Sequence, residues 1–154
     1  MKQLHGKTVL ITGGASGIGK LMGQLVLQKG ARLIIWDINP QNIEQTIAEL
    51  SGLGEVAAYQ VDVSVQEQVR AAAATVRQQH GVVDVLINNA GIVVGKYFHE
   101  HTYQDISRTM DINANAPMYV ALEFLPGMLA QNSGHICNIA SSGGLISNPK
   151  MSVY

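Results

Sequence analysis

Short apolar runs alternate along this chain with longer segments in which apolar residues recur every three or four positions. The runs are rich in β-branched residues and stop at glycine or polar residues, a pattern typical of strands buried on both faces. The pattern predicts five strands: Lys7–Thr12, Arg32–Trp36, Glu55–Asp62, Val83–Asn88 and Gly134–Ala140.

The periodic segments between the strands predict amphipathic helices. They cover Gly17–Lys29, Pro40–Leu50, a segment that ends at His80, Tyr103–Ile112 and Ala116–Ala130. Gly30 follows the first helix at a C-terminal capping position, and Asn39 is the expected N-cap of the second. Ser64 and Glu67 have the spacing of a capping box, which predicts the start of the third helix.

The alternation of strand and helix continues along the chain without a linker or an internal repeat. Strands joined by helical crossovers must be parallel, and right-handed crossovers produce an open sheet with helices on both faces. We therefore predict a single α/β domain over residues 1–154, built on a doubly wound parallel sheet of the Rossmann type.

The charge composition narrows the choice of partners. The 154 residues include 10 Lys and Arg and 11 Asp and Glu, for a net charge of −1. We expect no nucleic-acid partner, because binding to a phosphate backbone needs a clustered excess of basic residues. Charged residues make up 14% of the chain, against roughly 25% in a typical domain. This low share indicates either elements buried on both faces or a surface that awaits a missing partner.

The single cysteine bears on the cellular setting. Cys137 excludes an internal disulfide framework and favours a reducing, cytoplasmic compartment. Because it falls within the fifth predicted strand, we interpret it as a small buried hydrophobe. No secretory signal follows Met1, and the apolar-leaning stretch Met118–Ala130 is too short and too interrupted for a transmembrane segment.

Glycines cluster between the first predicted strand and the first predicted helix. Gly13, Gly17 and Gly19 would allow the backbone to approach a pyrophosphate, whose charge the helix N-terminus favours. Asp37 ends the second strand, 18 residues after Gly19, where a carboxylate can accept from a ribose 2′-hydroxyl. Neither Ser16 nor Ile38 offers a cation to a 2′-phosphate, so the sequence favours NAD over NADP.

Four motifs, in order and in register, give the chain a resemblance to the short-chain dehydrogenases/reductases. They are Gly13-x-x-x-Gly17-x-Gly19, Asp62-Val63, Asn88-Asn89-Ala90-Gly91 and Asn113-Ala114-Asn115-Ala116. Ser141 and Tyr154 are also 13 residues apart, the separation of the family's catalytic serine and tyrosine. Ser142 is a rival to Ser141, but the spacing favours Ser141.

The resemblance implies roles for individual residues. Cofactor binding is assigned to Gly13, Ser16, Gly17, Ile18, Gly19, Asp37, Asp62, Val63, Asn89, Ala90 and Gly91. Catalysis is assigned to Asn113, Ser141 and Tyr154: Asn113 bends its helix, Ser141 binds the carbonyl oxygen and Tyr154 transfers a proton. Asn89 is expected to tie its loop to the neighbouring strand. His99 and His101 do not share a helix face, so no metal site is expected.

The expected function is NAD-dependent oxidoreduction between a secondary alcohol and a ketone or aldehyde. Apolar residues near the site, Ile92, Val93, Val94 and Leu145, favour a lipophilic substrate. The alternative is a non-catalytic NAD-binding or sensor module of the same fold. In the family a lysine four residues after the tyrosine supports the phenolate; the sequence ends at Tyr154, so we expect the C-terminal part of the fold, with that lysine, to lie outside it. The full-length form is expected to be a homodimer or homotetramer.

Overall fold

A computed structural model describes residues 4–146 and 148–154 and shows one five-stranded, all-parallel sheet. The strands are β1 (Thr8–Thr12), β2 (Arg32–Asp37), β3 (Val56–Gln60), β4 (Val85–Asn88) and β5 (His135–Asn138), in the order β3-β2-β1-β4-β5. The helices are α1 (Gly17–Gln28), α2 (Pro40–Leu50), α3 (Gln66–His80), α4 (Tyr103–Met110) and α5 (Ala116–Ala130). Single-turn 3₁₀ segments lie at Ser51–Leu53, Phe98–Glu100 and Ser142–Gly144. The predicted doubly wound parallel fold is confirmed.

Two apolar clusters, one on each face of the sheet, form the core. Successive side chains of a strand point to opposite faces, so β1 divides its residues between them. Leu10 belongs to the cluster that α3 and α5 cover, whereas Val9 and Ile11 belong to the cluster under α1 and α2. Trp36 of β2 is fully buried against Phe124 of α5, with ring centroids 5.6 Å apart. Helices therefore cover both faces of the central strands.

The two helical stretches predicted at Tyr103–Ile112 and Ala116–Ala130 are joined rather than separate. A π turn, Asp111–Asn115, connects α4 directly to α5. The prediction of two helices missed this turn, because the spacing of apolar residues shows which side of a helix is buried. It does not show where the backbone changes from α to π hydrogen bonding.

The predicted capping box at Ser64 is wrong. Helix α3 begins at Gln66 with Val65 at the N-cap, and no side chain caps it there. The Ser64 hydroxyl instead donates to Oδ1 of Asp62 at 2.6 Å, and the Ser64 N–H donates to the same oxygen at 3.0 Å. A carboxylate two residues upstream captures both donors in a local turn, which competes with capping.

Strand β5 forms an edge of the sheet, and all four of its residues are exposed. Cys137 is exposed there as a free thiol, so its interpretation as a buried hydrophobe is wrong. Residues of β5 pair with β4 alone, which leaves them less covered than residues of the central strands. Among the described residues, no helix combines the length and apolar character needed to cross a bilayer.

Candidate functional site

A cleft of about 280 Å³ opens at the carboxyl ends of the strands. The chain builds β1, β2 and β3 in one direction and then returns to place β4 on the other side of β1. Open α/β sheets bind ligands at the point where the strand order reverses. Seven residues with an expected cofactor role line the cleft: Gly13, Ser16, Asp37, Asp62, Val63, Ala90 and Gly91.

The glycine turn between β1 and α1 is closely packed against backbone at Gly13 and at Gly19. Gly13 has a φ of +62°, and a Cβ there would lie 3.0 Å from the Ala90 Cα. A Cβ on Gly19 would collide with the Gly13 carbonyl oxygen and with the Asn89 amide nitrogen. Ser16, the N-cap of α1, makes no side-chain cap hydrogen bond, so its side chain does not occupy the first N–H groups of the helix. The turn therefore presents close backbone and a helix N-terminus to the cleft.

The loop after β4 is tied to this turn, as predicted for Asn89. Asn89 donates through its side-chain amide to the carbonyl oxygens of Thr12 at 3.0 Å and Gly13 at 3.1 Å. The Thr12 hydroxyl accepts from the backbone N–H groups of Asn89 and Ala90 at 3.0 and 3.1 Å. Asn89 thus fixes the loop that carries the lining residues Ala90 and Gly91, although Asn89 itself does not line the cleft.

Asp37 lies at the end of β2 and is 8% exposed. Its Oδ2 atom accepts from the Ala15 N–H and its Oδ1 atom accepts from the Asn39 N–H, both at 3.0 Å. The carboxylate is therefore fixed in orientation before any ligand arrives, while it still lines the cleft. Each oxygen has a second lone pair, so it can still accept from a hydroxyl.

Several residues of the cleft were not predicted from sequence, above all Arg108 and Ile112 of the helical segment that ends in the π turn. The other unexpected lining residues are Trp36, Asn39, Asn42 and Val61. Ile38 and Ile92, which the sequence placed near the site, also line the cleft. Among the described residues that line the cleft, Arg108 is the one cation. Arg108 lies four residues before Ile112, so the sequence could have placed both side chains on one helix face. That spacing points to the cleft only when Ile112 is already known to line it.

Ser141 and Tyr154 are brought together around Gly143. A Cβ built on Gly143 would lie 3.2 Å from Ser141 Oγ and 3.2 Å from Tyr154 Cε1, so both side chains flank the same point. Ser141 Oγ accepts from the Gly143 N–H at 3.0 Å. The Tyr154 side chain is partly exposed. The sequence spacing of 13 residues thus corresponds to proximity in space.

Asn113 lies in the π turn, where the resemblance implied a bend. Its Oδ1 atom accepts from the Ile92 N–H at 2.9 Å, and its Nδ2 atom donates to the Ile92 carbonyl at 2.8 Å. Both polar atoms of the side chain thus bind the loop after β4.

The remaining predicted residues fall outside the cleft lining. Gly17 and Ile18 begin α1, and Gly19 is buried behind the turn. His99 stacks on Tyr97 with ring centroids 6.0 Å apart. Within residues 4–146 and 148–154, no group of three or more His, Cys, Asp or Glu side chains is placed to hold a metal ion.

A glycine turn, a helix N-terminus and a fixed carboxylate at the switch point of a parallel sheet define a protein of the nucleotide-binding α/β class. The family model described as short chain dehydrogenase matches residues 7–154. The chain belongs to this family, and the resemblance stated from its motifs is confirmed.

Two curated relatives match nearly the whole chain. Epidermal retinol dehydrogenase 2 of Mus musculus is 39% identical over 155 residues, which cover 99% of this chain and 50% of the relative. Estradiol 17-beta-dehydrogenase 11 of Pongo abelii is 36% identical over 154 residues, which cover 99% of this chain and 51% of the relative. The chain thus spans about half the length of these relatives.

Solved structures agree with the fold over almost every residue. A short-chain dehydrogenase/reductase from Burkholderia phymatum in complex with NAD superposes with a TM-score of 0.94 at 33% identity, covering 100% of this chain and 56% of that one. A metagenomic short-chain oxidoreductase in complex with NADP superposes with a TM-score of 0.92 at 29% identity, covering 98% of this chain and 69% of that one. Both dinucleotides therefore occur among proteins of similar structure.

Proposed function

We propose that the protein binds NAD(H) in the cleft and interconverts a secondary alcohol and its carbonyl compound. The observation that carries this proposal is the meeting of Ser141 and Tyr154 around Gly143, in a chain that also has the glycine turn. A binding module needs the turn and Asp37 alone. A serine and a tyrosine side chain that flank one point can both hydrogen-bond a reacting oxygen atom.

The residues of the cleft fit a dinucleotide. Gly13 and Gly19 form a cradle that a Cβ would fill, which suits the close approach of a pyrophosphate. Asp37 is held in place to accept from a ribose hydroxyl. NADP would put a 2′-phosphate beside this carboxylate, and like charges repel. The Arg108 guanidinium would attract a 2′-phosphate and so favours NADP. Asp62 lines the cleft together with Asp37, however, so two carboxylates stand against one guanidinium.

The bound nicotinamide would supply hydride transfer to or from the substrate carbon. Ser141 already accepts from the Gly143 N–H, so its own hydroxyl hydrogen remains available to donate to the substrate oxygen. The Tyr154 hydroxyl would give or take the proton at that oxygen. Asn113 keeps the Ile92 loop in place beside them.

A lipophilic substrate is the finer part of the proposal. Val93 and Leu145 are exposed apolar side chains near the segments that carry the site, and Leu145 directly follows the Ser142–Gly144 turn. Exposed apolar surface beside a polar pair favours a ligand with one oxygen on an apolar body. The two curated relatives are named as dehydrogenases of retinol and of estradiol. We also propose a cytoplasmic setting, in keeping with the free Cys137 thiol.

Titration of the protein with NAD and with NADP, followed by turnover assays on secondary alcohols of increasing apolar size, tests the proposal. We expect NAD to bind at least about tenfold more tightly, equivalent to about 1.4 kcal/mol. Ile38→Arg should narrow this preference, and it leaves both backbone hydrogen bonds of Asp37 intact. Equal affinities in the unmodified protein would refute the preference for NAD. Tight NAD binding without turnover, in a chain extended to the full length of its relatives, would favour the non-catalytic module.

A further inference from the structure

The backbone of Ala15, in the middle of the glycine turn, is held at both its N–H and its carbonyl by side chains from outside the turn. Its N–H donates to Asp37 Oδ2 at 3.0 Å. Its carbonyl oxygen accepts from the hydroxyl of Thr46, a residue of helix α2, also at 3.0 Å. Ala15 is 4% exposed and Thr46 is 0% exposed. Water therefore has little access to either hydrogen bond.

Thr46 makes an unusual use of its hydroxyl for a helical threonine. Such a hydroxyl commonly donates to the carbonyl four residues earlier in its own helix. Thr75 of α3 does this, with its hydroxyl 3.1 Å from the Ala71 carbonyl oxygen. Thr46 instead reaches a residue 31 positions away in the chain, in a different element. The bond joins α2 to the turn and adds nothing to the helix itself.

We propose that Thr46 is a positioning residue for the cofactor: by holding the Ala15 carbonyl it sets the shape of the turn that receives the pyrophosphate. This inference rests on the proposed dinucleotide function and adds to it a residue of α2 that does not line the cleft. The Ala15 carbonyl shares its peptide group with the N–H of Ser16, the N-cap of α1, so a rotation of that peptide would redirect the Ser16 N–H at the start of the helix.

Ala15 connects the two ends of the nucleotide site. Asp37, the expected ribose ligand, shares Ala15 with Thr46 through its Oδ2 atom. When the Thr46 hydroxyl is lost, the Ala15 carbonyl is buried without a partner, and such a group drives local rearrangement. Both the phosphate-binding turn and the carboxylate should lose their fixed positions. The cofactor should bind more weakly, while the reacting groups at Ser141 and Tyr154 stay unchanged.

The test compares Thr46→Val with Thr46→Ser in the full-length protein and uses Thr75→Val as the matched control. Valine keeps the shape of threonine and removes the hydroxyl, whereas serine keeps the hydroxyl. We expect Thr46→Val to raise the NAD dissociation constant and the KM for NAD about tenfold, or about 1.4 kcal/mol, with kcat at saturating NAD within about twofold. Thr46→Ser should restore most of the affinity, and Thr75→Val should bind NAD as the unmodified protein does.

Hydrogen exchange at the Ala15 amide provides a readout that needs no cofactor. We expect faster exchange in Thr46→Val than in the unmodified protein or Thr75→Val. Unchanged exchange and affinity in Thr46→Val would overturn the proposal, as would an equal loss of affinity in Thr46→Val and Thr46→Ser. If the unmodified protein binds no dinucleotide, the proposed function fails, and the exchange result still decides whether Thr46 holds the turn. Should Thr46→Val not fold, Thr46→Ala takes its place, because it brings no methyl group against the carbonyl.

Discussion

Tyr154 offers the sharpest prediction at the scale of the residue. Tyr154→Phe removes the hydroxyl proposed to transfer the proton and leaves the ring, so kcat should fall by about 10²–10⁴-fold, the usual contribution of a general acid or base. The NAD dissociation constant should stay nearly unchanged, because Tyr154 lies outside the lining of the cleft. Steady-state turnover and NAD titration measure the two effects.

Tyr103→Phe is the matched control, since Tyr103 is a strongly exposed tyrosine at the first position of α4. It should change neither kcat nor NAD affinity. A Tyr154→Phe protein that keeps more than about a tenth of the original kcat would show that another group transfers the proton.

Individual residues also show how far the candidate site could be predicted. Asp37 and the glycine turn are accessible from sequence because a short loop and a strand end fix them at known spacings. Arg108 and Thr46 are not, because each acts on the site from a helix, and nothing in the local sequence places that helix against the site. Their placement depends on how helices pack on the sheet, and local spacing does not encode that packing.

Helix α4 illustrates how a helix start gains stability from charge. Thr102 caps the helix by accepting from the Asp105 N–H at 3.1 Å, and Asp105 Oδ2 accepts from the Thr102 N–H at 2.9 Å. Lys96, in the loop after β4, donates to the same Oδ2 atom at 2.7 Å. The Lys96 hydrogen bond, supported by Thr102, lowers the pKa of Asp105 from 3.8 to about 2.

A depressed pKa means that the folded state favours ionised Asp105. The stability that this carboxylate contributes is present above pH 4 and is lost as the pH falls towards 2. The reason is that Asp105 keeps its ordinary pKa in the unfolded chain, so on acidification the unfolded chain binds the proton before the folded chain does. We expect Asp105→Asn to lower the melting temperature at pH 7 and to lose less further stability between pH 4 and pH 2 than the unmodified protein. Circular dichroism melts across this range measure both effects.

Glu44→Gln serves as the control for charge removal, because Glu44 is exposed on α2 and makes no side-chain hydrogen bond among the described residues. Its melting temperature should follow that of the unmodified protein at every pH. Parallel pH profiles for Asp105→Asn and the unmodified protein would contradict a role for the Asp105 charge.

The elements themselves were predicted well where composition and burial act together. The β-branched runs located all five strands, with differences of one residue at an end of β1 and of β2 and of one or two residues at the ends of β3, β4 and β5. Ser64 was misplaced because its spacing to Glu67 fitted a capping box while Asp62 lay closer to its hydroxyl. Which acceptor a serine hydroxyl binds depends on the geometry of a single hydrogen bond, and the spacing of residues in the sequence does not determine that geometry.

At the scale of the whole molecule, α5 has two apolar sides. Val120, Phe124 and Met128 face the core, while Leu122 and Leu129 are 68% and 69% exposed. Met118 and Leu125 are also exposed and continue the same spacing of three or four residues. We propose that this stripe is the contact through which the full-length protein forms a homodimer or homotetramer, because apolar helix faces of this kind pair with one another.

The double variant Leu122→Glu with Leu129→Glu tests this contact. Charges on the stripe should oppose pairing, so the mass measured by size-exclusion chromatography with light scattering should fall from that of an oligomer to that of one chain. Leu53→Glu, at an exposed leucine after α2, should keep the original mass. An unmodified protein that is already monomeric, or a double variant that remains oligomeric, would exclude the stripe as the contact.

The π turn at Asp111–Asn115 gives the long helical segment two different duties. Arg108, before the turn, and Ile112, inside it, form a wall of the cleft. After the turn, Val120 and Phe124 pack into the core. A π turn closes its backbone over one more residue than an α turn, and one residue corresponds to a rotation of about 100° around the helix axis. The turn therefore rotates the core-facing side of α5 around the helix axis relative to the cleft-facing side that carries Arg108. Deletion of one residue in the turn would keep Arg108, Val120 and Phe124 but would rotate the helix before the turn relative to the helix after it. Arg108 and the core residues of α5 could then not both keep their places, so the site depends on the length of this segment as well as on its amino acids.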